Sequence, residues 1–564
     1  MNVNVLVSGK QKVTLGQNEY KAQGGEGTVY VMNDTAFKIY HDPSKMIPEG
    51  KILELKNIQT PNVLAPKDVL YDPTTKKAVG FTMPFVNNTE YLTKIFSRRF
   101  KSEQGITPDM VVNLATEMQK QLDSLHKENV LVGDYNEMNF LVNDKFTVPY
   151  HIDVDSYQTK NFPCTAIMDS VRDRRLPFGK FDQMSDWFAW AIITFQMYTG
   201  IHPYKGRHPD YKANQFDERM KNNISVFDPD VKIPKNAQDF SGIPKNQLDW
   251  YKSVFIKGER SLPPIADAIG LVPGYAMAAI VSDGDFIVKL INDYASHIKS
   301  VQYFDGYSYT ITDKAIYQGS DEVFTFTQKP KDITLVNVMG QRPVIAVKQK
   351  QMVGFFDMDK NKLGEIAADN MMVSNGHLYT IDSESGQLVE NYFETIGKTL
   401  HVTQTVERIS PAYKMFEGMV IQDVFGKRLL SIPYEHLACA TIEVSELEGY
   451  RIVDAKRLKH VAIIIGEKNG KYDRFVIFFD ENFKTYDVKI NEDISYQTVN
   501  FTLKQNGMVV SIINGNTLEL FVDNKRGSKE VIDCPVDIDM PLYDGIDKML
   551  FTDGDKVYKI QMGK

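Results

Sequence analysis

Cysteine is scarce in this chain of 564 residues, which contains only Cys164, Cys439 and Cys534. They lie far apart, form no CxxC pair and have no spacing with histidine that suits zinc, so no disulfide framework is expected and a reducing compartment fits better. The longest apolar stretch, residues 187–198, is interrupted by polar side chains and is too short to span a membrane. The first residues lack a cationic segment followed by a long apolar core, so no signal peptide is predicted there. These absences predict a cytoplasmic protein without a membrane partner.

An excess of basic residues is also missing. Lys and Arg total 65 against 73 for Asp and Glu, and the net charge of −8 lacks the basic field of a nucleic-acid-binding protein. No nucleic-acid partner is therefore expected. The fractions of hydrophobic residues (43%) and charged residues (24%) are ordinary for a globular chain. Because a chain of this length outgrows one hydrophobic core, at least two domains are predicted.

Tryptophan is absent after position 250, and this absence coincides with a change in sequence pattern. Apolar residues recur at helical spacing in residues 108–126 and 185–199. From about residue 275 onward, short alternating runs separated by Gly, Asn, Asp and Lys replace that periodicity. A stretch with Pro and Gly, residues 262–274, lies between the two patterns. The sequence therefore predicts two domains, residues 1–270 and residues 271–564.

The second half repeats one short pattern, an alternating strand next to a polar turn, as in FIVKLIN (286–292), MVGFFDMD (352–359) and RFVIFFD (474–480). The repeats recur at intervals of roughly 40 residues, close to the length of a four-stranded propeller blade. This spacing predicts an all-β domain with six or seven propeller blades. No signature dipeptide marks the repeats, and an irregular pair of β-sandwiches is the alternative.

A glycine-rich segment near the start of the chain precedes a predicted hairpin. Gly24, Gly25 and Gly27 fall within four positions, and Asn33-Asp34 forms the predicted turn between two strands. Glycine lets backbone amides approach a phosphate without an intervening Cβ, although glycine-rich hairpin turns are common without any ligand. Lys38 on the return strand favours the phosphate interpretation. It alternates with apolar residues, so its side chain either faces solvent or points at the phosphates that the loop covers.

Glu49 begins a helical stretch after a proline, where an acid also suits the helix dipole. The functional interpretation is an ion pair that orients Lys38. Glu54, one helical turn and a half further on, competes for that role.

Four acidic or amide side chains follow the first helical segment. Asp134 and Asn139 lie five residues apart in a polar turn between apolar stretches, and Asp153 and Asp155 follow another short apolar run. Each alone is a common turn residue. Together they offer a carboxylate that can accept a hydroxyl proton and oxygen ligands for magnesium, as phosphoryl transfer requires.

In this order the motifs resemble those of the protein kinase family, in particular divergent bacterial kinase-like proteins. The glycine-rich segment is similar to the nucleotide-covering loop, Lys38 to the strand lysine, Glu49 to its helix partner, and GDYNEMNFLV (133–142) to the catalytic loop. The resemblance implies Asp134 as the base, and Asn139 and Asp153 as magnesium ligands. The ATP-contacting residues that it implies are Gly24, Gly25, Gly27, Val29, Ala36, Lys38, Met83 and Phe85.

The resemblance also implies the fold class, an α+β two-lobed kinase-like domain (lobes about 1–86 and 87–270) followed by the all-β domain. SDWFAWAIITFQMYTGIHPY (185–204) is similar to the kinase helix that anchors the catalytic loop through Asp186. Three departures stand out. Asn136 occupies the position of the catalytic-loop lysine, Asp155 replaces the glycine of the metal motif, and RDRRLPF (172–178) leaves the partner of Arg260 open.

The function that the resemblance implies is an ATP- and Mg²⁺-dependent transfer of phosphate to Ser/Thr of a protein substrate, with the β-rich domain serving recognition or regulation. A pseudokinase scaffold that binds nucleotide without phosphotransfer is one alternative, and a small-molecule kinase is another. Bacterial kinase-like proteins of this type are often encoded beside PP2C-type phosphatases and von Willebrand-type domains, so a cognate phosphatase or a von Willebrand-type protein is an expected partner.

Overall fold

The polypeptide divides into two units, Met1–Met277 with Asn469–Lys471, and Ala278–Lys468 with Tyr472–Lys564. They are called unit 1 and unit 2 below. The computed structural model describes residues 3–24, 26–164, 167–211, 215–233, 237, 240–266, 286–304, 306–330, 332–338, 341–396, 398–545 and 548–562. The predicted boundary between residues 270 and 271 lies outside the described residues, as does Gly25.

The predicted fold class, with its α+β two-lobed kinase-like domain, is wrong. Over the described residues the chain is mostly β, with 43% strand, six helices and many small antiparallel sheets, and no helical kinase lobe is evident. The two segments with helical periodicity do coincide with helices. The resemblance to kinases implied the rest of the lobe, whereas the described residues of 128–182 and 200–244 form mainly turns and loops, because they are rich in Gly, Pro, Asn and Asp.

Unit 1 contains a seven-stranded sheet in the order β2-β1-β6-β7-β5-β4-β3 and a three-stranded sheet in the order β10-β9-β8. The strands are β1 (Val3–Val7), β2 (Gln11–Leu15), β3 (Tyr20–Gln23), β4 (Gly27–Met32), β5 (Thr35–Tyr40), β6 (Val69–Tyr71), β7 (Ala78–Pro84), β8 (Thr89–Tyr91), β9 (Phe140–Asn143) and β10 (Pro149–His151). β4 and β5 form the predicted hairpin, and Asn33 and Asp34 both adopt the positive φ of its two-residue turn.

The helices of unit 1 are α1 (Glu49–Leu55), α2 (Arg98–Gln104), α3 (Pro108–Lys127), α4 (Gln183–Thr199), α5 (Phe216–Asn222) and α6 (Lys245–Ile256). Thr107 caps α3, because its side chain accepts a hydrogen bond from the Met110 amide. A reciprocal pair between Asp182 and Ser185 caps α4, whose side chains are buried on nearly every face. No helix among the described residues is long and apolar enough to cross a membrane.

Unit 2 consists, over its described residues, of seven four-stranded antiparallel sheets. The first joins the two ends of the unit, because β11 (Phe286–Asp293) pairs with β38 (Lys556–Met562) beside β36 (Leu542–Gly545) and β37 (Lys548–Asp553). Each remaining sheet uses four consecutive strands. These are β12 (Ile298–Phe304), β13 (Tyr307–Thr312), β14 (Ala315–Gln318), β15 (Asp321–Thr325), β16 (Asp332–Val336), β17 (Val344–Gln349), β18 (Met352–Phe356), β19 (Lys362–Ala367), β20 (Asn370–Ser374), β21 (His377–Asp382), β22 (Gln387–Ile396), β23 (Lys398–Arg408), β24 (Tyr413–Phe416), β25 (Met419–Val424), β26 (Lys427–Glu435), β27 (Ala438–Glu443), β28 (Arg451–Leu458), β29 (Val461–Lys468), β30 (Lys471–Phe479), β31 (Tyr486–Asn491), β32 (Asn500–Leu503), β33 (Val509–Ile513), β34 (Thr517–Phe521) and β35 (Lys529–Val531).

Shared apolar clusters hold neighbouring sheets of unit 2 together. Ile421 and Ile432 of one sheet pack in the same cluster as Ile464 and Phe475 of the next. Each strand contributes alternate side chains to such a cluster, because successive residues of a strand point to opposite faces. The core of unit 2 is therefore a series of inter-sheet layers.

Gly80 lies where the strands beside Lys38 pack closely, and a substitution there tests that contact. A Cβ on Gly80 would lie 2.0 Å from the Lys38 carbonyl oxygen, whereas a Cβ on Gly242 meets nothing within 4 Å. We expect Gly80→Ala to lower the free energy of unfolding of unit 1 by about 1–3 kcal/mol, because the backbone of β5 must move. Gly242→Ala should change it by less than about 0.5 kcal/mol.

Urea unfolding followed by tryptophan fluorescence measures this quantity in the full chain, because all three tryptophans precede residue 251. Equal stability of the two variants would contradict the close contact at Gly80.

Candidate functional site

Lys38 is a nearly buried cation in the seven-stranded sheet. On β5 it pairs with Val29 of β4 on one side and with Phe81 of β7 on the other. Only 12% of its side chain is exposed, and Nζ lies 2.6 Å from Oδ2 of Asp155 and 3.4 Å from Oε2 of Glu26. Glu26 is 71% exposed, so Asp155 supplies most of the compensating charge.

Asp155 receives two hydrogen bonds on one carboxylate oxygen. Lys38 Nζ donates at 2.6 Å and the Tyr40 hydroxyl at 2.9 Å. Burial alone would raise the pKa of Asp155, but the charge of Lys38 and these hydrogen bonds outweigh it and hold the pKa below its usual value. Despite its own burial, Lys38 has a raised pKa because of the negative charge of Asp155. Both groups are therefore ionised at neutral pH.

Glu49 does not make the predicted ion pair with Lys38. Its Oε2 accepts a hydrogen bond from the Tyr71 hydroxyl at 2.7 Å, and the side chain is exposed. The reason is the orientation of α1, which buries Lys51, Ile52 and Leu55 and leaves its first residue on the outside. The competing residue, Glu54, accepts hydrogen bonds from the backbone and side-chain nitrogens of Asn161 instead.

Asp134 and Asn139 lie side by side in the loop between α3 and β9. The Asn139 side chain donates to the backbone oxygen of Asp134 at 3.0 Å and to its Oδ2 at 3.4 Å, while Oδ1 accepts from the Met168 amide at 2.7 Å. Burial raises the pKa of Asp134, and the negative charge of Asp153 adds to the rise. A carboxylate with a raised pKa is a better proton acceptor.

Asp186 of α4 holds that loop in place. Its two oxygens accept hydrogen bonds from the amides of Val132 and Gly133 at 2.9 and 2.8 Å, and His126 Nε2 lies 2.9 Å from Oδ2. Gly133 has a φ of +71°, and a Cβ there would lie 2.4 Å from the sulfur of Cys164. The Asp186 carboxylate thus fixes the backbone that immediately precedes Asp134.

Asp153 begins a short 3₁₀ turn, residues 154–156, with a left-handed backbone at φ 54°. The preceding residue, Ile152, donates its amide to the Asn139 carbonyl at 2.9 Å, which places the two loops next to each other. The charge of Asp153 raises the pKa of both Lys38 and Asp134. The structure therefore brings Lys38, Asp134, Asn139 and Asp153 into one region.

The residues predicted to contact ATP form two groups. Val29, Ala36 and Met83 lie on adjacent strands near Lys38, and Ala36 pairs directly with Met83. Phe85 follows β7, but its amide donates to the Asp34 carbonyl at 2.9 Å, so that amide is already engaged.

Two glycines of the predicted phosphate loop, Gly24 and Gly27, are explained by the backbone contacts of the hairpin. The Gly24 amide donates to the Gly27 carbonyl at 2.9 Å. A Cβ on Gly27 would lie 2.4 Å from the Ile39 carbonyl oxygen, so close strand packing accounts for this glycine without a phosphate.

Sequence reasoning missed three side-chain pairings. The sequence pattern places Asp155 among possible magnesium ligands and at the position of a glycine, but it does not indicate that Asp155 is the main partner of Lys38. Tyr40 lies two residues after Lys38 on the same strand, and that spacing could have placed both on one face. Asp173 is the partner of Arg260, whose Nε and Nη2 donate to its two carboxylate oxygens at 2.9 Å each.

No protein-family model and no curated protein matches this chain. The chemistry of the site therefore rests on the residues themselves. The site combines one lysine of an interior strand of the seven-stranded sheet with three carboxylates and one amide from loops. Carboxylate and amide oxygens are ligands that Mg²⁺ accepts.

Removal of the Asp155 charge tests the ion pair. We expect Asp155→Asn to lower the free energy of unfolding by about 3–5 kcal/mol at pH 7, because Lys38 would remain buried without its partner. The folded pKa of Asp155 lies below its ordinary value. Its contribution is therefore present above about pH 4 and is lost as the pH falls further.

Urea unfolding followed by tryptophan fluorescence at pH 7 and at pH 3 measures the loss of stability and its pH dependence. The difference in the free energy of unfolding between wild type and Asp155→Asn should be smaller at pH 3. Glu26→Gln, which removes the exposed partner of Lys38, is the matched control and should have little effect. A difference independent of pH would argue against a charge effect.

Proposed function

We propose that unit 1 binds ATP with Mg²⁺ and transfers the γ-phosphate to a Ser/Thr hydroxyl of a protein substrate. The observation that carries this proposal is the convergence of Lys38, Asp134, Asn139 and Asp153 in one region. They come from β5 and from two separate loops. The proposal rests on this set of side chains and their chemistry, and it requires no particular fold class.

The donor set suits a magnesium ion. The acidic groups crowd each other, since the charge of Asp153 contributes to the raised pKa of Asp134. A divalent cation relieves such crowding. No donor among the described residues hydrogen-bonds to the Asn139 side-chain oxygen, which leaves that atom available. Asn139 and Asp153 would hold the ion, and Mg²⁺ bound there would neutralise charge on the phosphates.

In this proposal Lys38 binds the α- and β-phosphates, and Asp155 competes for the same ammonium group. Asp134 accepts the proton of the substrate hydroxyl, and Asn139 keeps its carboxylate oriented through the bond to Oδ2. The anchor at Asp186 positions this loop before substrate arrives. Catalysis then depends on positioning and on charge neutralisation.

A nucleotide-binding scaffold without phosphotransfer is the second candidate, and one observation favours it. Asn136 stands where the resemblance to kinases calls for a lysine, and its Oδ1 accepts the Met138 amide at 2.9 Å. The side chain is thus a turn cap and offers no positive charge to a γ-phosphate.

The resemblance to bacterial kinase-like proteins supports one further part of the proposal, a cognate phosphatase or a von Willebrand-type protein as the partner. We also propose a cytoplasmic location, because the three cysteines lie far apart in the sequence and form no CxxC pair. Unit 2 would serve recognition or regulation.

The Asp134→Asn variant tests the assigned base, and the wild-type assay distinguishes phosphotransfer from a nucleotide-binding scaffold. We expect phosphate transfer from labelled ATP to a generic protein acceptor to fall by about 10²–10⁴-fold, because the proton acceptor is lost. ATP binding, measured by calorimetry in the presence of Mg²⁺, should persist. Asp144→Asn is the matched control, since Asp144 is an exposed residue of the β9–β10 connection, and it should transfer phosphate at the wild-type rate.

Transfer that survives in Asp134→Asn would contradict the assigned base. ATP binding without transfer in the wild-type chain would establish the scaffold instead.

A further inference from the structure

A cluster of two histidines and one glutamate lies in unit 2, among residues that the proposed phosphotransfer does not use. The Nδ1 atoms of His377 and His436 each lie 2.8 Å from the same Oε1 atom of Glu390. All three potential ligand atoms lie within 4.8 Å of one another. Imidazole nitrogen and carboxylate oxygen form the ligand sets that Zn²⁺ and related divalent ions accept.

Two neighbouring sheets bring these residues together. The turn Asn375-Gly376, with φ values of 49° and 85°, reverses the chain so that His377 begins β21. Glu390 lies on β22, directly opposite Tyr379 of β21. His436 lies in the turn between β26 and β27, beside Leu437, whose φ is 57°.

Glu390 is completely buried, and its second oxygen is held by the protein. Oε2 accepts a hydrogen bond from the Leu437 amide at 2.6 Å and another from the Tyr379 hydroxyl at 3.3 Å. These donors leave Oε1 directed at the two imidazoles. Outer donors of this kind fix the orientation of a carboxylate ligand in metal sites.

The two imidazole rings leave the cluster accessible. Their centroids lie 5.8 Å apart with planes inclined by 27°, and the side chains of His377 and His436 are 35% and 50% exposed. An ion held by these three groups would keep at least one position for water or another ligand, since zinc is commonly four-coordinate.

The burial of Glu390 favours a metal ion in this cluster. Within the described part of the chain, the ion-pair partners of the fully buried Glu390 are the two histidines, and no lysine or arginine pairs with it. A buried carboxylate is costly unless a cation or hydrogen bonds compensate it. A divalent ion beside Oε1 would supply positive charge and leave the hydrogen bonds to Oε2 in place.

We propose that Nδ1 of His377, Nδ1 of His436 and Oε1 of Glu390 form a binding site for a divalent transition-metal ion of the zinc type. The site belongs entirely to unit 2, so it stands independently of the nucleotide chemistry assigned to unit 1.

Calorimetric titration of the EDTA-treated, dialysed full-length chain with ZnCl₂ tests the site. We expect His377→Ala and His436→Ala each to weaken zinc binding by at least about tenfold, because each removes one of three ligands. Tyr379→Phe should weaken it less, since it removes one of two donors that orient Glu390. Zinc should also raise the melting temperature of the wild-type chain more than that of either histidine variant, because it binds the folded state and binds the variants more weakly.

His208→Ala is the matched control, because the described residues contain a second group that could hold an ion, His208 with Asp228 and Asp230 in unit 1. This variant should keep the zinc affinity that the other two variants lose. Melting in EDTA, followed by circular dichroism, checks that His436→Ala is folded. No zinc binding by the wild type, unchanged affinity in folded His436→Ala, or loss of binding only in His208→Ala would each overturn the proposal.

Discussion

The candidate site depends on the buried ion pair between Lys38 and Asp155. Each charge has lost most of its water, with 12% and 9% of the two side chains exposed, so each is tolerated only because the other is present. The pair joins the seven-stranded sheet to the loop that follows β10. Because Asp153 lies two residues before Asp155, the same contact places it near the loop that carries Asp134.

In the proposed reaction the ion pair also limits how a nucleotide would bind. The single ammonium group of Lys38 contacts Asp155 at 2.6 Å and, more weakly, Glu26 at 3.4 Å. A phosphate that approaches Lys38 must replace or share the Asp155 carboxylate, which would then be free to face a cation. Asp155 is therefore a structural partner of the lysine in this structure and a competitor of phosphate in the proposed reaction.

Local sequence patterns predicted local structure, but they did not predict the contacts between residues far apart in the sequence. The hairpin at Asn33-Asp34 and the helices α3 and α4 follow from turn chemistry and apolar periodicity. Glu49 lies on a helix of seven residues, too short for periodicity to show which face is buried. The predicted fold class is wrong because it was inferred from short motifs that resemble those of kinases, and such motifs do not establish the structure of the residues between them. His436 follows His377 by nearly sixty positions, and only the packing of two sheets shows that they meet Glu390.

Two buried carboxylates of this protein are compensated in different ways. Asp155 faces a lysine that remains charged, so its charge is balanced permanently from within the chain. Glu390 has no lysine or arginine partner among the described residues, and its Oε1 faces the Nδ1 atoms of two histidines. The first arrangement leaves no reason for a further cation at Asp155 while Lys38 stays paired. The second places a buried carboxylate beside two nitrogen donors, and this difference in partners is why we propose a metal ion at Glu390 and none at Asp155.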